Sequence, residues 1–215
     1  MTHSVPKSEG VLLVLSSPSG CGKTTVANIL VSNKSYNIVR SISATTRKPR
    51  AGEVDGRDYF FVEHEEFHRR CDSGEMLEHA EVFGNLYGVP RKYVEDNISK
   101  GINTLLVIDW QGAFKLMQMM QEHVVSVFIV PPSMEELRRR LCGRNRGTDS
   151  VVETRLAGAA FEIAHCYEYD YVIINEDAEE TAQMIGNILS AECLRTSRQK
   201  FLKRFVDENF PDQTA

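Results

Sequence analysis

The chain has no cysteine pair in Cys-x-x-Cys spacing. Its five cysteines, Cys21, Cys71, Cys142, Cys166 and Cys193, are scattered. That excludes zinc-ribbon and dithiol redox chemistry, and a reducing cytoplasm is the simple setting. No apolar run approaches the roughly 20 residues of a membrane span. Met1 to Lys7 lacks a charged start followed by a long apolar stretch, so no secretory signal is expected. Positive charge is not in excess: 25 Lys and Arg against 30 Asp and Glu give a net charge of −5. This argues against a general nucleic-acid binder, and local basic clusters must serve something smaller. Repeats and low-complexity linkers are also missing. No nucleic acid and no membrane are therefore expected as partners, while monomer and homo-oligomer both stay open. The 215 residues, 42% hydrophobic and 26% charged, suffice for one sizeable α/β domain or a core with inserts.

Against these absences stands one strong local signal, Ser16-Ser17-Pro18-Ser19-Gly20-Cys21-Gly22-Lys23-Thr24-Thr25. It follows the apolar run Val11 to Leu15 and precedes a helical pattern, Val26 to Val31. Strand, Gly-rich turn ending in Gly-Lys-Thr, then helix is the layout of a phosphate-binding loop. Glycines let successive N–H groups converge on an anion, and the helix N-terminus adds its positive dipole end. Lys23 reaches the β- and γ-phosphates, and Thr24 offers a hydroxyl for Mg²⁺. Ser17 stands where the general pattern has Gly. The competing interpretation is a surface loop that happens to be rich in Gly and Ser, but both flanks fit the phosphate loop.

Apolar β-branched runs predict strands over 11–15, 38–42, 104–108, 124–130 and 171–174. Helical periods predict helices over 22–31, 111–120, 133–142, 150–168 and 177–195. Continuous apolar strands alternating with helices imply a parallel sheet covered on both faces. Ser133 followed by Glu135 and Glu136 reads as a capped helix start. The chain is polar and turn-rich from about Ser43 to Asn97, as for a small inserted β-rich unit with a helix or two. Cys142 to Asp149 is polar, Gly-rich and Arg-rich, as for a mobile loop. Together these predict a small kinase that closes over two nucleotides. The basic stretch after Thr196 (Arg198, Lys200, Lys203, Arg204) reads as a frayed helical extension.

Within the polar unit, Arg47 and Arg50 offer fork-shaped donors to a phosphate, and tyrosine hydroxyls can add to them. A buried carboxylate accepts hydrogen bonds from guanine N1–H and the 2-amino group, and an unpaired one rejects adenine. Alone, Glu78 reads more simply as a solvated acid and a single Tyr as packing. The segments carry weight as a set.

As a set they resemble guanylate kinases, the bacterial branch in particular, from about Leu12 to Gln199. The motifs are Ser-Pro-Ser-Gly-Cys-Gly-Lys-Thr (17–24), Ser-Ile-Ser-Ala-Thr-Thr-Arg-Lys-Pro-Arg-Ala-Gly-Glu (41–53), Asp-Tyr-Phe-Phe-Val (58–62), Leu-Glu-His-Ala-Glu-Val-Phe-Gly-Asn-Leu-Tyr-Gly (77–88) and Ile-Asp-Trp-Gln-Gly (108–112). The resemblance implies a nucleoside-monophosphate-kinase core of P-loop type over 11–42 and 99–195, with a lid near 142–155. It implies an inserted GMP-binding unit over 43–98, a flexible N-terminus over 1–10 and a basic extension over 196–215. Ser43, Glu78 and Asp109 would contact guanine, while Arg47, Arg50, Tyr59 and Tyr87 would hold the GMP phosphate. Ser17, Pro18, Ser19, Gly20, Cys21, Gly22, Lys23, Thr24 and Thr25 would hold ATP, with Mg²⁺ on Thr24, phosphates and water. Arg140, Arg144 and Arg155 would close onto the transferring phosphoryl and adenine, with Arg146 competing for the role of Arg144. Asn175 would lie near the adenine.

The implied reaction is ATP + GMP → ADP + GDP, with GMP or dGMP as acceptor. Similar proteins commonly have Gly or Ala at Ser17, Ser or Thr at Val89, and Asp at Val107. These departures leave guanine O6 to Ser43 or water. They also remove a carboxylate from the magnesium-water shell or from an arginine-orienting contact. Two alternatives remain: a kinase of another nucleoside monophosphate, and a non-catalytic guanylate-kinase-like binding module. Retention of Lys23, Arg144 and Arg155 weighs against the second. Cys21, inside the loop at a helix N-terminus, is expected either to be a reactive thiolate shielded by ATP or simply to fill space.

Overall fold

The computed structural model describes residues 8–82, 84–144 and 149–210. The strands are β1 Leu12–Ser16, β2 Ile38–Arg40, β3 Ala44–Thr45, β4 Phe60–Phe61, β5 Met76–Val82, β6 Asn85–Pro90, β7 Asn103–Val107, β8 Val124–Val130 and β9 Tyr171–Ile174. The helices are α1 Lys23–Ser32, α2 His64–Asp72, α3 Arg91–Ser99, α4 Trp110–Met119, α5 Met134–Arg144, α6 Asp149–Ile163, α7 Ala178–Cys193 and α8 Leu202–Asn209. No helix among the described residues is long and apolar enough to cross a membrane.

Five strands form a parallel sheet in the order β2-β7-β1-β8-β9. Alternation along β1 divides its side chains between two cores. Val11, Leu13 and Leu15 pack with Leu30 of α1, Leu137 and Leu141 of α5, Leu156 of α6 and Ile185 of α7. Leu12 and Val14 face the other way, onto Val94 and Ile98 of α3 and Leu116 of α4. The central strands β1, β7 and β8 were legible as largely apolar runs because both of their faces are buried, while the edge strands β2 and β9 are partly exposed. The expected strand over 38–42 stops at Arg40, and the expected helix over 150–168 ends at Ile163 and tightens into a 3₁₀ turn over Ala164–Glu168.

A second sheet, ordered β4-β3-β6-β5, carries the polar segment. Its β5–β6 hairpin is antiparallel, and β3 pairs antiparallel with β6 and parallel with β4. Its own core is small: Ala44, Phe67 of α2 and Met76, with Phe60, Val62, Cys71 and Leu86 at its margin. Helix α3, though within the 43–98 span, packs on the large sheet.

The start of the tail is held at Arg198, while α8 beyond it buries no residue. Arg198 is buried and donates to the carbonyls of Glu122 at 2.6 Å and Val124 at 3.2 Å. It also lies 3.4 Å from the buried Glu192 carboxylate. Buried charge needs this pairing, so Arg198 is a structural staple and not part of a solvated basic extension. The expectation for residues 1–7 and 211–215 lies outside the described residues, as does Arg146 of the lid.

Candidate functional site

The carboxyl ends of the parallel strands gather the site, as open α/β sheets favour. The turn after β1 leads into α1, whose N-terminus has no side-chain cap and no acid in its first turn. Its N–H groups and dipole are left for an anion. Gly20 and Gly22 adopt φ of 93° and 88°. A Cβ at Gly22 would lie 2.6 Å from the Asn175 side-chain nitrogen, so the turn admits no larger residue there. With Ser17 buried in place of Gly, the loop still closes, and Cys21 N–H donates to Pro18 at 3.4 Å.

Lys23 folds back across this turn. Its Nζ donates to the Ser17 carbonyl at 3.1 Å and to the Ile108 carbonyl at 3.5 Å. Burial pulls the ammonium below its usual range, while the carboxylates of Glu162 and Asp109 oppose that pull. Thr24 and Thr25 are exposed at the first turn of α1.

The Asn175 side chain is buried: Nδ2 donates to the Cys21 carbonyl at 2.7 Å and Oδ1 accepts from the Thr181 hydroxyl at 2.9 Å. It braces the loop from behind. Cys21 likewise is no reactive thiolate. It is fully buried, and burial raises its thiol to about 12, outweighing Lys23 and Arg140, which lower it. The helix dipole does not offset the loss of water.

Next to the loop lies a cavity of about 300 Å³ lined by Ser43, Tyr59, Glu78, Tyr87, Val89, Val107, Asp109 and Gly112, among others. It draws on β5, β6, the end of β7 and the start of α4. Asp109 caps α4, accepting from Gly112 N–H at 3.0 Å. Glu78 is 7% exposed, and its Oε1 has no hydrogen-bond partner. Burial raises its carboxyl to about 7; Asp109 adds to the rise and Lys115 opposes it. A buried acceptor left open in this way is poised for a ligand donor. Val89 is fully buried against the cavity, so the hydroxyl position is truly apolar, while Ser43 remains on the wall.

Arg47 sits at the cavity's outer edge. Its guanidinium lies 5.4 Å from the Tyr59 ring centroid, and Tyr59 packs edge-on to Tyr87 at 6.1 Å. Glu53, to which the sequence reading gave no role, organises the pair of arginines. It takes a 2.8 Å bond from Arg47 and a 2.7 Å bond from the Arg50 backbone N–H. An acid six residues after Arg47, at the end of a Gly turn, was the available signal. The Arg50 side chain is exposed and does not line the cavity.

On the other flank, Arg140 of α5 bonds Glu136 at 2.7 Å and reaches the Asn175 carbonyl at 3.1 Å. Ser133 caps α5 through Glu136 N–H at 3.1 Å, as expected. Arg144 ends α5, and Arg155 is exposed on α6. Arg138 and Glu153 pair across the two helices that flank 145–148. A wider cleft of about 440 Å³ between Tyr36, Cys193 and Phe201 has no charged side chain in its lining. The convergent polar groups are in the smaller cavity and the loop.

Comparison with known proteins agrees with this geometry. A family profile described as guanylate kinase matches residues 9–192. A guanylate kinase of Anaplasma phagocytophilum (strain HZ) is 66% identical over 95% of this chain and 98% of its own length. One of Ehrlichia canis (strain Jake) is 58% identical over 94% and 96%. The crystal structure of guanylate kinase from Anaplasma phagocytophilum superposes with a TM-score of 0.79 at 61% identity, covering 95% of this chain and 97% of that one. A nucleotide-binding loop abutting a carboxylate-lined cavity, and a match across nearly the whole chain, lead to one conclusion: the chain belongs to the guanylate kinase family.

Proposed function

We propose that this chain transfers the γ-phosphoryl group of ATP to GMP, and to dGMP, giving ADP and GDP or dGDP in purine nucleotide metabolism. The observation that carries the reading is the junction at the end of β7. The Ile108 carbonyl holds Lys23, and the next residue, Asp109, lines the acceptor cavity. Donor and acceptor phosphates placed in the two subsites meet there.

Guanine N1–H and the 2-amino group donate to Glu78, with Asp109 and Ser43 beside the ring. Arg47, Arg50, Tyr59 and Tyr87 take the GMP phosphate and hold its attacking oxygen in line. The loop residues Ser17 to Thr25 wrap the ATP phosphates with N–H groups. Lys23 and the arginines Arg140, Arg144 and Arg155 spread positive charge around the migrating group. No side chain forms a bond to phosphorus; positioning and charge do the work. Among the described residues no three His, Cys, Asp or Glu side chains are grouped to hold a metal. Magnesium would be held by the exposed Thr24 hydroxyl together with ATP phosphates and water. It would supply neutralisation of the charge on the phosphates. A cytoplasmic location is part of the same reading, and scattered free cysteines suit a reducing compartment.

The test is ADP release from ATP and Mg²⁺ with GMP, dGMP, AMP, UMP, CMP or dTMP as acceptor. Turnover with the guanine nucleotides alone is expected. Turnover with another base would overturn the cavity assignment. Binding of GMP without any turnover would overturn the activity.

A further inference from the structure

Glu78 is short of support for the state it must adopt. To accept from both guanine donors it has to be ionised, since a protonated carboxyl gives up one acceptor. Its side chain is 5% exposed. The backbone of α4 lies flush against it: a Cβ on Gly112 would be 3.1 Å from its Cδ and Oε1 and 3.2 Å from Oε2. Val89 and Val107 present hydrocarbon, and Asp109 presents a like charge. Tyr59 and Tyr87 complete the titratable wall. Among the described residues, one cation acts on Glu78. Lys115, one turn of α4 beyond Gly112, places Nζ 3.9 Å from Glu78 Oε1. That nitrogen is anchored on the neighbouring strand, donating to the His79 carbonyl at 3.1 Å.

We propose that Lys115 is a positioning residue for base recognition: from the back of α4 it keeps Glu78 a carboxylate, aimed at the guanine edge of GMP. The inference rests on the guanylate kinase reading above. Lys115 does not line the cavity. It acts through Glu78, supplying the opposite charge that the hydrocarbon of Val89 and Val107 does not. Burial pushes the Glu78 carboxyl up to about 7 even with Lys115 beside it, and among the charges acting on it Lys115 is the one that opposes that rise. Because Lys115 is more than half exposed, solvent weakens the pair, and the expected effect is modest.

The experiment compares Lys115→Gln, Lys115→Arg and the unsubstituted chain from pH 5.5 to 9. GMP's own phosphate titrates near pH ~6, so chains are compared at the same pH and that contribution cancels. In Lys115→Gln, KM for GMP is expected to rise about 3- to 10-fold near pH 6.5, as for an ionisation point moved up by about half to one pH unit. The gap narrows above pH 8.5, KM for ATP does not follow, and Lys115→Arg restores the profile. A KM for GMP unchanged at every pH, or raised by the same factor at every pH, would overturn the proposal; the second result would assign Lys115 to packing. Carbon-13 titration of Glu78 in the nucleotide-free protein gives a readout independent of turnover. Its midpoint must move up in Lys115→Gln, and an unmoved midpoint also overturns the proposal. If the unsubstituted chain does not turn over GMP, the functional reading fails while the titration still decides the Lys115–Glu78 link.

Discussion

The two halves of the site are built to different standards of rigidity. The phosphate loop sits on the large core, with Leu137 and Leu141 pressed under Gly20 and the buried Asn175 clamped to the Cys21 carbonyl. The acceptor cavity hangs largely on a sheet whose β3 and β4 are two residues each, over a core of Ala44, Phe67 and Met76. At its edge, the Arg47 guanidinium and the Arg50 backbone N–H are held by one carboxylate, Glu53, near the surface. A preformed anion cradle costs no reorganisation when ATP arrives. A lightly built acceptor sheet opens locally at low free energy and can close when GMP supplies the missing contacts. On the proposed function, this contrast predicts a protein that holds the phosphate donor and adapts to the acceptor.

The largest way to probe that contrast is Lys23→Met. The fold is expected to stand, because the loop is braced from behind, while kcat falls about 100- to 1000-fold. Steady-state kinetics beside a circular dichroism melt separate the two. A large drop in melting temperature would show that Lys23, bonded to Ser17 and Ile108, is structural. Next comes Phe67→Ala, which empties the centre of the small core and costs about 3–5 kcal/mol if that core unfolds with the rest. The contrast predicts uncoupling instead: GMP binding lost by calorimetry, and ATP binding retained. Equal loss of both would make the halves one cooperative unit. The smallest effect is at Cys21. Maleimide at neutral pH is expected to modify the exposed Cys142 and leave Cys21 untouched, with or without ATP. Mass spectrometry of the digest reads this directly. Labelling of Cys21 that ATP prevents would show that the loop opens.

What the sequence made legible follows the same division. The central strands of the large sheet were plain because burial on both faces leaves runs such as Val124 to Val130 with hardly a polar residue. The phosphate loop was plain because its turn needs Gly20 and Gly22 at fixed offsets. The residues proposed for the acceptor emerged through resemblance, since Glu78 or Tyr87 alone looks like any acid or tyrosine. Partnerships across long sequence separations stayed hidden. Asn175 reaches Cys21, Arg198 reaches Glu122, and Lys115 reaches back to β5, and no local period encodes such pairs. Cys21 misled because the helix-dipole argument ignores burial, which here outweighs it.

Hydrogen exchange with and without GMP tests the contrast most directly. In the nucleotide-free protein, amides of β1 and α1 should exchange slowly, and those of β3 to β6 markedly faster. GMP should slow the second set and leave the first unchanged. Equal protection of both sets before GMP is added, with no change on binding, would contradict the picture of a rigid donor loop facing an adaptable acceptor sheet.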